Sequence, residues 1–154
     1  MRVYRYLTED ELYNILNDKI ENLGGKYYGM NNSFAYKRDC RYIHFFKYLS
    51  DVEYIRDLKR WRIEQGDYDI TDFFVCEFEI PASILLFSSG EGIYKQTEDK
   101  LEGKRVKEFA VKVNKFKSKW LKHCVKDNLF EPFDPQQIQE RFADYEISES
   151  EPMI

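Results

Sequence analysis

A chain of 154 residues and 18.7 kDa is sized for one compact domain. Its composition, 43% hydrophobic and 34% charged with twelve Tyr, twelve Phe and two Trp, excludes wholesale disorder, because so much apolar surface offsets the entropy of ordering. The formal charge of −4 and pI near 5.3 do not describe a dedicated nucleic-acid coat protein.

Val3 to Leu7 is β-branched and aromatic enough for a short strand. It runs into Thr8-Glu9-Asp10-Glu11, a capping box in which Thr8 accepts from the backbone three residues on and Glu11 reaches back. Leu12, Ile15 and Leu16 then recur at helical spacing, predicting an amphipathic helix over 9–18. Gly24-Gly25 ends that unit, and 26–39 reads as a loop. Arg41 to Tyr48 is a second strand, followed by a second capping box, Ser50 to Glu53, and a helix over 51–64 that Gly66 terminates.

Phe73 to Ile80 has a period of two, with Phe74, Cys76, Phe78 and Ile80 on one side and Glu77 and Glu79 on a wet face. Pro81 suits the first turn of a short helix over Ala82 to Leu86. The polar stretch from Ser88 to Arg105 is long enough to suspect a functional loop. Val106 to Val113 alternates again as a strand. Phe116, Trp120 and Leu121 predict a short helix, with His123 on a lysine-rich helical surface. The body of the domain is expected to end near 130. Residues 131–154 form an acidic C-terminal extension, in which 136–145 adds one more helix.

Two charge blocks are set against each other. Residues 131–154 hold seven acids against Arg141 alone, whereas Lys95 to Lys126 carries eleven Lys or Arg against four acids. The basic strip is either a solvated face or a docking surface for a nucleic acid or an acidic protein.

No apolar run approaches the roughly 20 residues of a bilayer-spanning helix, and no signal or transit peptide is recognisable at Met1-Arg2-Val3-Tyr4-Arg5. The expectation is a cytoplasmic protein with no membrane partner. Cys40, Cys76 and Cys124 are odd in number and far apart, and only His44 and His123 accompany them. That spacing predicts neither a disulfide framework nor a metal site, and treats the thiols as small buried hydrophobes.

Phosphate-cradling glycine loops, H-E-x-x-H and G-x-S-x-G are all absent, and nothing in the sequence pairs either histidine with a serine. What remains is three polar side chains on apolar strands: Arg5, His44 and Glu108. Each must face solvent, a partner or a ligand, since an unpaired buried charge is costly. Either Arg5 and Glu108 form a structural ion pair, the three are unrelated surface residues, or they line one cleft.

The order Val3-Tyr4-Arg5-Tyr6-Leu7-Thr8 with its helix, Tyr42-Ile43-His44-Phe45-Phe46 running into a capped helix, and Lys107-Glu108-Phe109-Ala110-Val111 after a Gly/Tyr loop resembles the ADP-ribosyltransferase fold over roughly residues 3–125. It is most similar to the compact bacterial and phage branches that include DNA-targeting toxins and small anti-defence transferases. The resemblance implies a single α+β domain with a split, mostly antiparallel sheet and peripheral helices. It also implies NAD as substrate and ADP-ribosyl transfer to a protein or nucleic acid, with a catalytically inactive binding module as the alternative.

Carried onto this chain, the resemblance makes Glu108 and His44 the catalytic pair. Arg5, Tyr4, Tyr42, Phe46 and Tyr94 become NAD contacts, with Arg5 on a phosphate or ribose and Glu108 on the nicotinamide ribose. The pattern departs from the arginine-modifying branch at His44-Phe45-Phe46, where Ser-Thr-Ser would fall, and at Val106, where a second Glu or Gln would stand. The enzymatic expectation requires the Arg5 and Glu108 side chains to converge in one groove.

Overall fold

A computed structural model describes residues 1–19, 42–66, 71–88, 94–95 and 108–144. The described strands form one antiparallel sheet in a single α+β domain: β1 (Arg2–Thr8), β2 (Tyr42–Phe46), β3 (Phe73–Glu79), β4 (Leu86–Ser88), the two-residue β5 (Tyr94–Lys95), β6 (Glu108–Lys112) and β7 (Leu121–Asp127). Their order across the sheet is β5-β4-β6-β2-β1-β3-β7. Three helices accompany it, α1 (Glu9–Leu16), α2 (Val52–Glu64) and α3 (Pro135–Asp144).

Alternation along the strands divides the core in two. Val3, Leu7, Ile43, Phe45, Phe78 and Phe109 pack beneath Leu12 and Ile15 of α1 on one face. Tyr6, Phe46, Phe73, Val75 and Val125 pack on the other with Val52 of α2 and Ile138 and Phe142 of α3. The sheet is therefore covered on both faces. Its strands carry aromatics on both sides for that reason.

The first capping box is half formed. The Glu11 N–H donates to Thr8 Oγ1 at 3.2 Å, while the Glu11 carboxylate turns to Arg5 instead. The second differs in register. Leu49–Asp51 is a tight 3₁₀ turn, and the α2 cap is Asp51, without a side-chain capping bond.

The largest correction lies at 116–127. Only Ser118–Trp120 is helical, as a single 3₁₀ turn, and Leu121–Asp127 is the edge strand β7, so His123 lies in the sheet. Glu77 does not face water either, because α3 lies over that face and the residue is 4% exposed. Ala82–Leu86 contains a 3₁₀ turn at Ala82–Ile84 and then enters β4. The expected loop at 26–39, Gly24-Gly25, Val106 and most of the 88–105 stretch lie outside the described residues.

Residues 131–154 were expected as an acidic C-terminal extension. Their described part supplies Ile138 and Phe142, 5% and 1% exposed, to the second core. Arg56 of α2 directs the chain there. Its Nε donates to Asp127 Oδ2 at 2.8 Å, its Nη2 to the Asn128 carbonyl at 2.6 Å and to the Glu131 carbonyl, and its guanidinium lies 5.5 Å from the centre of the Phe133 ring. No helix among the described residues is long and apolar enough to cross a membrane.

Candidate functional site

Strand register aligns one row of residues across the whole sheet. His123 of β7 opposes Glu77 of β3, which opposes Tyr4 of β1. Tyr4 opposes Phe46 of β2, Phe46 opposes Glu108 of β6, Glu108 opposes Ser88 of β4, and Ser88 opposes Tyr94 of β5. Directly paired residues share a face. From His123 to Ser88, polar and aromatic side chains thus run together across the face that also carries α2 and α3.

His44 sits two residues from Phe46 on that face, buried to 3% exposure. Its Nδ1 is 3.1 Å from Glu108 Oε1 and 3.5 Å from Ser88 Oγ. Pairing with an ionised Glu108, which can only accept, requires the proton on His44 Nδ1. A hydrolase relay would set serine and carboxylate on different ring nitrogens. Here both face the same one, so the cluster orients a carboxylate and does not activate Ser88. The Glu108 side chain keeps 14% of its surface accessible.

Arg5 is placed differently. It alternates with Val3 and Leu7 on the α1 face and opposes Cys76, so it leaves the sheet on the face away from Glu108. Its Nη2 donates to Glu11 Oε2 at 2.7 Å, with the two residues 3% and 1% exposed. Its Nη1 donates to the His44 backbone carbonyl at 2.8 Å. Of the three arrangements left open by the sequence, the Arg5–Glu108 ion pair is not the one formed: Arg5 pairs with Glu11, and the guanidinium is held in the fold.

β1 and β2 share a single paired position, Tyr4 with Phe46, and beyond it Arg5 links them. The side chains of Arg5 and Glu108 do not converge. One residue separates them: Arg5 holds the backbone of His44, whose ring holds Glu108.

Of the other expected contacts, Tyr4 and Phe46 fall in the row. Tyr42 belongs to the same face, opposite Lys112, and Tyr94 is placed by its register with Ser88. Sequence reasoning missed the far half of the row. Glu77 Oε1 meets His123 Nδ1 at 2.7 Å and Arg2 Nη1 at 2.9 Å, and the Phe142 ring stacks over both Tyr4 and His123, at 6.4 and 5.8 Å between centroids. Burial, and after it the Glu77 carboxylate, pushes the Tyr4 phenol up to about 12.

A groove of about 530 Å³, bordered by Phe73, Asp127, Phe130 and Arg141, lies away from His44 and Glu108. No set of three or more metal-ligating side chains occurs among the described residues. Comparison with known protein families, with curated proteins and with solved structures returns no match for this chain.

Proposed function

We propose that the row from Tyr4 to Ser88, with His44 beside Glu108, is a dinucleotide site, and that the chain transfers the ADP-ribosyl group of NAD to a macromolecule. The observation that carries this reading is the His44–Glu108 contact of 3.1 Å, next to the aromatic residues Phe46 and Tyr4. A flat nicotinamide stacks favourably on an aromatic ring. As its bond to the ribose breaks, positive charge grows on the sugar, and an oriented, poorly hydrated carboxylate stabilises that charge. Glu108 supplies the carboxylate and His44 fixes its direction.

The convergence of Arg5 and Glu108 that the resemblance requires is not met, so this reading rests on Glu108, His44 and the aromatic row without Arg5 on the ligand. Arg5 enters it as a positioning residue, with Nη1 donating to the His44 carbonyl and Nη2 to Glu11. The acceptor docks on the basic strip. Lys112, opposite Tyr42 and so beside the row, is exposed, as are Lys115, Lys117 and Lys119. A nucleic acid or an acidic protein fits that charge.

A second reading, a binding module without transfer chemistry, is favoured by the burial of Arg5, since the resemblance wants that guanidinium on the ligand. Thermal unfolding with NAD separates the two. A specific ligand at about 100 times its Kd stabilises by roughly 2.7 kcal/mol, so millimolar NAD should raise the Tm of the wild-type chain and raise it less in Glu108→Gln. No shift in either protein would favour the binding module.

A further inference from the structure

The sequence separates Cys76 and Cys124 by 48 positions, and the sheet sets them directly opposite each other on β3 and β7. Both belong to the α1 face, in one line with Arg5 of β1. Opposed residues of an antiparallel pair stand about 4.5 or 5.5 Å apart at Cα, depending on their place in the ladder. Either value lies inside the roughly 4.4–6.8 Å window that a disulfide spans. Both residues are free thiols, Cys76 wholly buried and Cys124 partly exposed on the outermost strand.

We propose that Cys76 and Cys124 form a dithiol modification site that takes a low-molecular-weight disulfide as co-reactant and closes into a cross-strand bridge between β3 and β7. The burial pattern sets the order of events. Cys124, the accessible thiol, loses its proton to solvent and attacks one sulfur of the incoming disulfide. One thiolate leaves and is protonated, and the other half stays on Cys124. Cys76 then loses its proton and attacks Cys124 Sγ, expelling the second thiolate, which is protonated in turn. Two thiols of the protein are oxidised to one disulfide, and one small disulfide is reduced to two thiols.

Burial, followed by the neighbouring Cys124, pushes the Cys76 thiol up. The second step therefore accelerates as pH rises, since the thiolate is the attacking species. The bridge would tie the edge strand to β3 at the position next to the His123–Glu77 pair. This inference is independent of the dinucleotide reading.

The test is oxidation of the full-length, folded protein by oxidised glutathione. An acid quench, alkylation of the remaining thiols in denaturant, and peptide mapping follow. The expected product is a single Cys76–Cys124 bridge with Cys40 alkylated, two reduced glutathiones released per chain, and faster closure at higher pH. In Cys124→Ala, Cys76 should stay alkylatable and carry no glutathione. In denaturant, the three cysteines should give all three possible pairings. An end product with glutathione retained on Cys124 and Cys76 still free would overturn the proposal. So would a native-state bridge that includes Cys40.

Discussion

Arg5 and Glu11 show how one charged residue is reassigned by its surroundings. A guanidinium and a carboxylate 2.7 Å apart, each almost wholly out of water, owe their persistence to each other. Removing one leaves an uncompensated buried charge, so Arg5→Ala and Glu11→Ala should each cost about 3–5 kcal/mol in chemical denaturation. The paired variant Arg5→Met/Glu11→Leu should recover much of that loss. If the single variants cost less than about 1 kcal/mol, the pair is not the buried link described here.

The tyrosines on the opposite face give a pH signature. Tyr4 is raised to about 12, and Tyr6, buried and donating to Asp127 Oδ2 at 2.5 Å, is raised further. A folded-state pKa above the unfolded value of about 10 means that the folded chain keeps protons the unfolded chain has lost. Stability from these groups is full below pH about 10 and falls as pH climbs toward 12. Urea melts across that range should show the fall in the wild type and a shallower one in Tyr4→Phe/Tyr6→Phe.

At the scale of elements, β1, β2, β3 and β6 and the three helices were legible because enough β-branched, aromatic and apolar residues recur at the spacing of each element, even where Arg5 and His44 interrupt it. β7 was not, and the reason is a register shift between Glu77 and Phe78. It pairs Glu77 with His123 but Phe78 with Leu121, leaving Lys122 as the extra residue of a bulge. Leu121 and Cys124 thereby reach one core face from positions three apart, which breaks the alternation of a strand, while Phe116, Trp120 and Leu121 carry a helical spacing. The same limit hid the contact of Ser88 with His44, because a pairing across β4, β6 and β2 leaves no local trace.

α3 matters for what it covers. Phe142 is 1% exposed and stacks against Tyr4 and His123, so Phe142→Ala should cost about 3–5 kcal/mol. A chain ending at residue 130 should fail to show a cooperative melt by circular dichroism. A truncated chain that melted like the full one would make the C-terminal segment the separable extension its composition suggested.

Across the whole molecule, the sheet places two histidine–carboxylate pairs in line on one face. His123–Glu77 lies beneath α3, and His44–Glu108 lies toward the other edge, with Phe46 and Tyr4 between them. Arg5 braces the second pair from behind, through the strand that carries His44. In the proposed transfer, Glu108 acts on the nicotinamide ribose of NAD. The most direct measurement is nicotinamide release from NAD by the wild-type chain and by Glu108→Gln, a variant of nearly equal size without the charge. Release by the wild type is expected, with a loss of about 100-fold or more in the variant. Equal rates in the two proteins, or no release above the uncatalysed rate in either, would contradict it.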